Sequence, residues 1–521
     1  MIRKYYATKD NTITNAFELN LTTRGTGSNM GASDILETFT IYGQVSNSSG
    51  LSSEKSRIII EFPIGQLTNE RAAGTLPASG SVDFYLNLYN AKHSQTLPRK
   101  FWLSILPIRD EWQEGFGLDM ETYTDLTYDQ TGSNWIMTEG ATTWGDTDGS
   151  TQEGGYYWND KSSSFSQYFE EGTEDLQVNI TTLVEQWINS QGNTLGSKDN
   201  YGVGIHFSGS FEDSPRSYYT KKFFSRTTNW FFERPTIEAR WDSSIQDDRG
   251  QCYRSSSLAP AADNLNSIYL YNYVRGKLAN IPTVEATDGE ICVSIFSGTI
   301  LNNGPGGNAL NLVPDYAGNV RPANTMVITG SKVSTGIYKA TFAYTGSSDL
   351  DTIYDVWFSG SDHHTSAEFQ AVQYKTGTIN VKSFEADSYS DSKKYYLSVT
   401  NRTSDYYYDQ TYRIRLYARE RDWSPNIYSV ATNVPPSLTF ESASYQIRRM
   451  TDNKVVIPYD TGSNLATRLS FDVSGNYFDL NASLLEPNYA YGVQFSIYDS
   501  DTSTYEEQPY TYKLRVVKNE Y

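Results

Sequence analysis

Hydrophobic and polar positions alternate along this chain in short runs separated by turns. In SVDFYLNLY (Ser81–Tyr89), Val82, Phe84, Leu86 and Leu88 share one side, the period of a half-buried strand. SRIIIEF (Ser56–Phe62), RKFWLSILPI (Arg99–Ile108), YGVGIHFSG (Tyr201–Gly209) and RPTIEARW (Arg234–Trp241) also read as strands. Long loops rich in Gly, Ser and Asp join them, notably EGATTWGDTDGSTQEGG. The pattern predicts a jelly-roll sandwich over residues 1–242. WDSSIQDDRGQ (Trp241–Gln251) has no periodicity and reads as a linker. Beyond it, strand-like runs such as GEICVSIFSGTI, GIYKATFAYTG and IYDVWFSGS predict an Ig-like sandwich over residues 252–376. TYRIRLYARER, with Tyr412, Ile414, Leu416 and Ala418 in phase, RLSFDVSG and YGVQFSIYDS predict another over residues 377–521. The fold expectation is all-β with one short helix.

That helix is VNITTLVEQWI (Val178–Ile188). Leu183, Val184, Trp187 and Ile188 lie on one helical face. Thr182 and Glu185 have the T-x-x-E spacing of a capping box, and NSQGN follows with C-cap residues. So short a helix is marginal alone and must dock on a sheet. Asn179-Ile180-Thr181 matches a glycosylation sequon, but with no secretory signal expected it is not read as a modified site.

Composition narrows the function classes. The chain has 521 residues, 41 of them Tyr, and a net charge of -19. No Lys/Arg stripe is visible to displace the counterions of nucleic acid, so none is expected as a partner. Cys252 and Cys292 are the two cysteines; they are too few for a disulfide scaffold, and two reduced thiols are expected. The opening MIRKYYATKDNTITNAF has no apolar core of a secretory signal, and RIIIEFPI is too short to cross a bilayer. No membrane insertion is expected.

Six pieces in order then resemble the DNRLRE family, also described as carbohydrate-binding module family 96. The family's V-D-V-T-x-L-V-x-x-W helix start is matched by Val178, Thr181, Leu183, Val184 and Trp187, with Asn179 in place of the Asp. Its N-x-G-L-x-L strand is matched by Asn200, Gly202, Val203 and Ile205. Its F-x-S-R-E segment is matched by Phe224, Ser225 and Arg226, with Thr227 in place of the acid, and its final R-P-x-L-x-V strand by Arg234, Pro235, Thr236 and Ile237. Upstream, SRIIIEFPI and VDFYLNLY resemble two family strands, and Trp112, Glu114, Thr143 and Trp144 resemble its W-x-E…V-T-W signature. The opening TITNAF…GSNMGASDILETF resembles its D-x-x-I…N-x-G-x-x-x-x-L start. The resemblance covers residues 1–242. It implies a β jelly roll and, in some members, polysaccharide binding; it implies no catalysis.

Candidate chemistry is sparse. Eight of ten tryptophans precede residue 243. Trp102, Trp187 and Trp241 sit in strand or helix patterns and are expected in the core. Trp135, Trp144, Tyr156, Tyr157 and Trp158 sit in Gly-rich surroundings and form the candidate carbohydrate platform, with loop anchoring or a subunit contact as the plainer alternative. In DTDGS, Asp146 and Asp148 are candidate ligands of a structural Ca2+, although the further ligands and terminal Glu of an EF-hand are absent. A surface turn is the default there, and no cofactor is expected. No G-x-S-x-G, H-E-x-x-H or P-loop occurs, and no catalytic residue is assigned.

Adhesive, extracellular-style modules without a secretion signal suggest a non-enzymatic structural protein of a tailed-bacteriophage virion, made in the host cytoplasm. On that expectation it is a head decoration, neck or collar part, or tail or baseplate component, present as a homo-oligomer or in multiple copies among other virion proteins. The alternative is a carbohydrate-binding protein that recognises host surface polysaccharide through the N-terminal domain.

Overall fold

The computed structural model describes residues 1–43, 52–92, 98–118, 131–145, 149–188, 195–213, 218–256, 260–285, 291–298, 304–306, 309–310, 312–314, 326–345, 350–359, 372–382, 394–421, 437–500 and 502–518. Asp146 and Asp148, the segment after Ile188, and His93, His363 and His364 lie outside the described residues. The protein is all-β, and its chain divides into two compact units. One comprises Met1–Asp242 with Gly462–Ala466, the other Ser243–Thr461 with Thr467–Tyr521.

The first unit contains β1 (Ile2–Tyr6), β2 (Lys9–Thr14), β3 (Ile35–Gly43), β4 (Ser52–Glu61), α1 (Ile64–Ala72), β5 (Asp83–Leu88) and β6 (Phe101–Pro107). It continues with β7 (Met137–Glu139), β8 (Thr142–Thr143), β9 (Phe165–Phe169), β10 (Leu176–Asn179), α2 (Thr181–Ile188), β11 (Val203–Phe207), α3 (Gly209–Glu212), β12 (Tyr218–Phe224) and β13 (Thr236–Arg240). A four-stranded sheet runs β1-β13-β5-β10. A seven-stranded sheet runs β12-β3-β4-β11-β6-β9, with β2 also on β4. The main core includes Phe84, Leu86 and Leu88 of β5, Phe101, Leu103 and Ile105 of β6, and Val203, Ile205 and Phe207 of β11. Alternation fails in β4 for a physical reason. Ile58 and Ile60 enter this core while Ile59 enters a second one, so the strand is covered on both faces and reads as a continuous apolar run.

Helix α2 docks as its apolar face predicts, with Leu183, Val184, Trp187 and Ile188 in the main core. The capping box does not form. Thr182 Oγ1 donates to Ser162 O at 2.8 Å, and Glu185 accepts two bonds from Arg71 of α1. The Asn179 side chain instead accepts from Thr181 N at 3.0 Å. Helix α1 is a second helix beyond the one expected. Only Ile64 and Leu67 of it are buried, too few apolar positions to announce it.

In the second unit, an eight-stranded array links Cys252–Tyr253, Gln373–Lys382, Thr352–Phe358, Ile291–Phe296, Ile328–Ser334, Ile337–Tyr344 and Leu265–Tyr271 in that order, with Leu312–Pro314 on Ile337–Tyr344. Ile328–Ser334 pairs through its first residues with Ile291–Phe296 and through its last with Ile337–Tyr344. Val293, Ile295, Phe342, Ile353 and Trp357 fill the core. Residues from 395 onward form a four-stranded and a six-stranded sheet. Phe478 and Tyr445 stack with ring centroids 4.2 Å apart.

Two sequence expectations change here. The segment read as a linker divides: Trp241 lies in the main core of the first unit, and residues from Ser243 on are part of the second unit. Asp247 N donates to Phe471 O at 3.1 Å, and Arg249 is buried against Asp355. Residues 376 and 377, where the reading divides two modules, lie within one strand, Gln373–Lys382. Gly377 is required there because a Cβ would meet Arg249 Nη1 at 2.4 Å. Cys252 and Cys292 are both buried and not joined in a disulfide, and burial pushes the Cys252 thiol up.

Candidate functional site

The outer face of the seven-stranded sheet carries Ile59 of β4, Gly204 and His206 of β11, and Ser104 of β6, because their neighbours point into the main core. Residues of the 131–158 segment pack on it. Trp135 and Trp144 join Ile13, Ile59, Ile108 and Trp112 in a second buried core. Trp144 Nε1 donates to Asn134 O at 2.9 Å, and Trp112 Nε1 to Tyr201 O at 2.9 Å.

Beside this core, pieces of the resemblance far apart in sequence converge in a polar network. Arg226 forms a bidentate ion pair with Glu114, and its backbone N–H donates to Asp10 at 2.6 Å. Asn29 donates to Glu114 O and Ser133 O, both at 2.8 Å. A Cβ at Gly31 would lie 2.2 Å from Glu114 O, so the glycine is needed for close backbone approach. These residues are framework: they bond one another and neighbouring backbone, with Asp10 Oδ1 left buried outside the network.

Next to the second core lies a cleft of about 700 Å³. Tyr156 and Tyr157 line it with Gln152, Glu153 and Asn159 from the covering segment, Ser104, Ser164 and Ser166, and His206. Arg57 anchors its floor. It binds Glu212 through Nε at 2.8 Å and Nη2 at 2.9 Å, and Gly154 O through Nη1 at 2.8 Å. Burial opposes ionisation of Glu212, but the Arg57 bonds and charge outweigh it and hold the carboxyl below its usual range. Burial, with Arg57 beside it, pushes His206 down, so its ring is neutral at pH 7. Burial pushes Tyr157 up to about 12. The floor is therefore charge-paired, while the walls offer hydroxyls, amides, the Glu153 carboxylate and two tyrosine side chains. Gly204 opens room for Tyr157, since a Cβ there would meet its ring at 2.1 Å.

The expected platform divides. Tyr156 and Tyr157 line the cleft. Trp144 has no exposed surface and Trp135 is 4% exposed, and a buried ring cannot stack on a sugar. They fold the covering segment onto the sheet instead. Trp158 is half-buried, with Arg109 4.4 Å and Lys198 4.9 Å from its ring centre; Arg109 also lies 4.3 Å from the Tyr156 ring centre and donates to its hydroxyl at 2.5 Å, so cations occupy a face of both rings, and of the two only Tyr156 lines the cleft. Trp102, expected in the core, is 42% exposed and packs on Tyr168, itself 39% exposed, with ring centroids 5.2 Å apart. The signal was present in FWLSILP: Phe101, Leu103 and Ile105 take the inner face, which leaves Trp102 outside. Among the described residues, no group of three or more His, Cys, Asp or Glu is placed to hold a metal ion.

No family model matches the chain, and no curated protein matches it. Among solved structures, a marsupial T cell receptor aligns at 8% identity over 49% of this chain and 69% of its own, with a TM-score of 0.16. DIP-gamma IG1+IG2 aligns at 10% identity over 54% of this chain and 97% of its own, with a TM-score of 0.12. A Salmonella alpha-2-macroglobulin aligns at 7% identity over 98% of this chain and 26% of its own, with a TM-score of 0.14. Similarities this low carry no functional weight, and the all-β class stands on the chain's own sheets.

Proposed function

We propose that this chain is a non-enzymatic attachment protein of a tailed-phage particle, and that its first unit binds polysaccharide in the cleft beside Tyr156 and Tyr157. One observation carries the binding reading: a cleft of about 700 Å³ with hydroxyl, amide, tyrosine and one carboxylate (Glu153) in its walls over an Arg57–Glu212 floor. That volume suits a small-ligand site, where a few fixed polar groups orient the ligand and aromatic surface holds it. The DNRLRE resemblance of residues 1–242 supports the same ligand class. The particle reading rests on the run of β-sandwich modules and the Tyr-rich composition, an analogy of style.

The test is a glycan array of bacterial surface polysaccharides probed with the full chain and with a Gln152→Ala/Asn159→Ala variant. Both side chains line the cleft. Binding by the parent and its loss in the variant are expected; an array left blank by the parent would falsify the binding reading. The particle reading predicts the chain in purified virions at fixed stoichiometry by quantitative mass spectrometry, and its absence there contradicts that half.

A further inference from the structure

We infer that the outer face of β6 and β9 extends the cleft into a track for a linear, uncharged polysaccharide, with Trp102 and Tyr168 as its stacking platform. The inference rests on the polysaccharide reading above. It adds the form of the ligand, an internal stretch of chain as opposed to a terminal sugar.

The register of β6 on β9 builds the track. Trp102 lies opposite Tyr168, and Ser104 opposite Ser166. Alternate residues of a strand share a face, about 7 Å apart. Ser104 and Ser166 line the cleft, so the aromatic pair is the next rung along the same face. Trp102 O accepts from Ser208 N at 3.0 Å, and the following residue, Gly209, also lines the cleft. The platform therefore stands at the cleft mouth.

The chemistry of the rungs selects the ligand. The two neighbouring rings, tilted 46° to each other, present an angled apolar surface with a polar phenol at its edge, the complement of the C–H face of a pyranose with hydroxyls around its rim. The rung beyond holds Lys100 and Glu170, 3.4 Å apart, and Arg99 lies 2.9 Å from Glu171. Those charges cancel in pairs, and the cleft floor is paired as well. Among the described residues that line the cleft, the Arg57 cation is paired with Glu212 and Glu153 adds a carboxylate, so a neutral polymer is favoured over a uronate or sulfated one. β9 is the edge of its sheet, so nothing within the sheet closes that side of the track.

The experiment titrates the full chain calorimetrically with disaccharides and hexasaccharides of linear β-1,4-glucan, β-1,3-glucan, β-1,4-mannan and α-1,6-glucan. A hexasaccharide of at least one series is expected to bind more tightly than its disaccharide. Trp102→Ala should weaken the hexasaccharide by roughly tenfold, the scale of one aromatic contact, and leave the disaccharide unchanged. Trp102→Tyr should retain most of the binding. Gln152→Ala/Asn159→Ala should weaken both lengths. Hexasaccharide binding unaltered by Trp102→Ala but lost in the cleft variant overturns the track and leaves the cleft reading standing. If no hexasaccharide binds, both fall. A change of sedimentation in Trp102→Ala without a change in sugar binding also overturns the track, because the pair is then a contact between chains.

Discussion

Glu185 of α2 and Arg71 of α1 meet in a bidentate ion pair, with N–O distances of 2.7 and 3.0 Å and Glu185 almost wholly buried. The pair fastens two helices that close the main core of the first unit. It also takes the acid that the T-x-x-E spacing assigned to a capping box. Glu185→Ala leaves Arg71 facing a buried void, and a broken buried pair costs about 3–5 kcal/mol. Thr182→Ala removes one exposed hydrogen bond to Ser162 O and should cost no more than about 1 kcal/mol. Urea unfolding followed by tryptophan fluorescence checks this, since eight of ten tryptophans lie in the first 242 residues. Equal costs would favour the cap over the ion pair.

The two tryptophan environments predict opposite outcomes. Trp144 is fully buried in the second core, so Trp144→Ala should destabilise the first unit by about 3–5 kcal/mol. Trp102→Ala removes a surface contact with Tyr168 and should cost at most about 1 kcal/mol. The same unfolding curves decide. A neutral Trp144→Ala would return that ring to the surface.

Asp10 predicts a pH dependence with a definite sign. Burial, reinforced by Glu114, pushes its carboxyl up to about 7 despite the hydrogen bond from Arg226 N. An unfolded Asp ionises near pH ~4. Between those values the unfolded chain gives up a proton that the folded chain keeps. The stability linked to Asp10 is therefore fully present below about pH 4 and lost as the pH rises through about 7. Asp10→Asn keeps the acceptor and removes the titration. Its stability relative to the parent should rise between pH 5.5 and 8; a constant difference across that range would show that Asp10 titrates normally.

Arg249 makes the former linker structural. Its guanidinium binds Asp355 at 2.5 and 2.7 Å, and Asp355 also accepts from Trp357 Nε1 at 2.5 Å. Arg249→Ala strands a buried carboxylate and should cost about 3–5 kcal/mol. Arg249→Lys should recover only part of this, since an ammonium cannot reproduce the planar fork. Hydrogen exchange of the Thr352–Phe358 amides reads the effect; unchanged protection in Arg249→Ala would mean the segment is dispensable.

The strands and α2 were legible because their signals are local. Val82, Phe84, Leu86 and Leu88 alternate, and the apolar residues of α2 recur at helical spacing. The second core was not legible. Trp135 and Trp144 sit in a stretch without periodicity, and only its fold-back over Ile59 buries them. Gly-rich sequence around a Trp therefore reads as a surface platform where the residues in fact form a buried cover over Ile59. Trp102 failed in reverse: its strand neighbours are core, but the period of two sends it outside. The cleft combines residues from β4, β6, β11 and the covering segment, a juxtaposition that no local window contains. Arg249 was hidden by its polar neighbours, because burial of a charge depends on a partner 106 residues away.

The measurement that bears most directly on the proposed site is affinity electrophoresis of the intact chain in gels carrying each neutral glucan or mannan, or a purified bacterial surface polysaccharide. At least one polymer is expected to retard the chain, and Gln152→Ala/Asn159→Ala to migrate as in a gel without polymer. Migration of the parent unchanged by every polymer, or equal retardation of parent and variant, would contradict the proposed site.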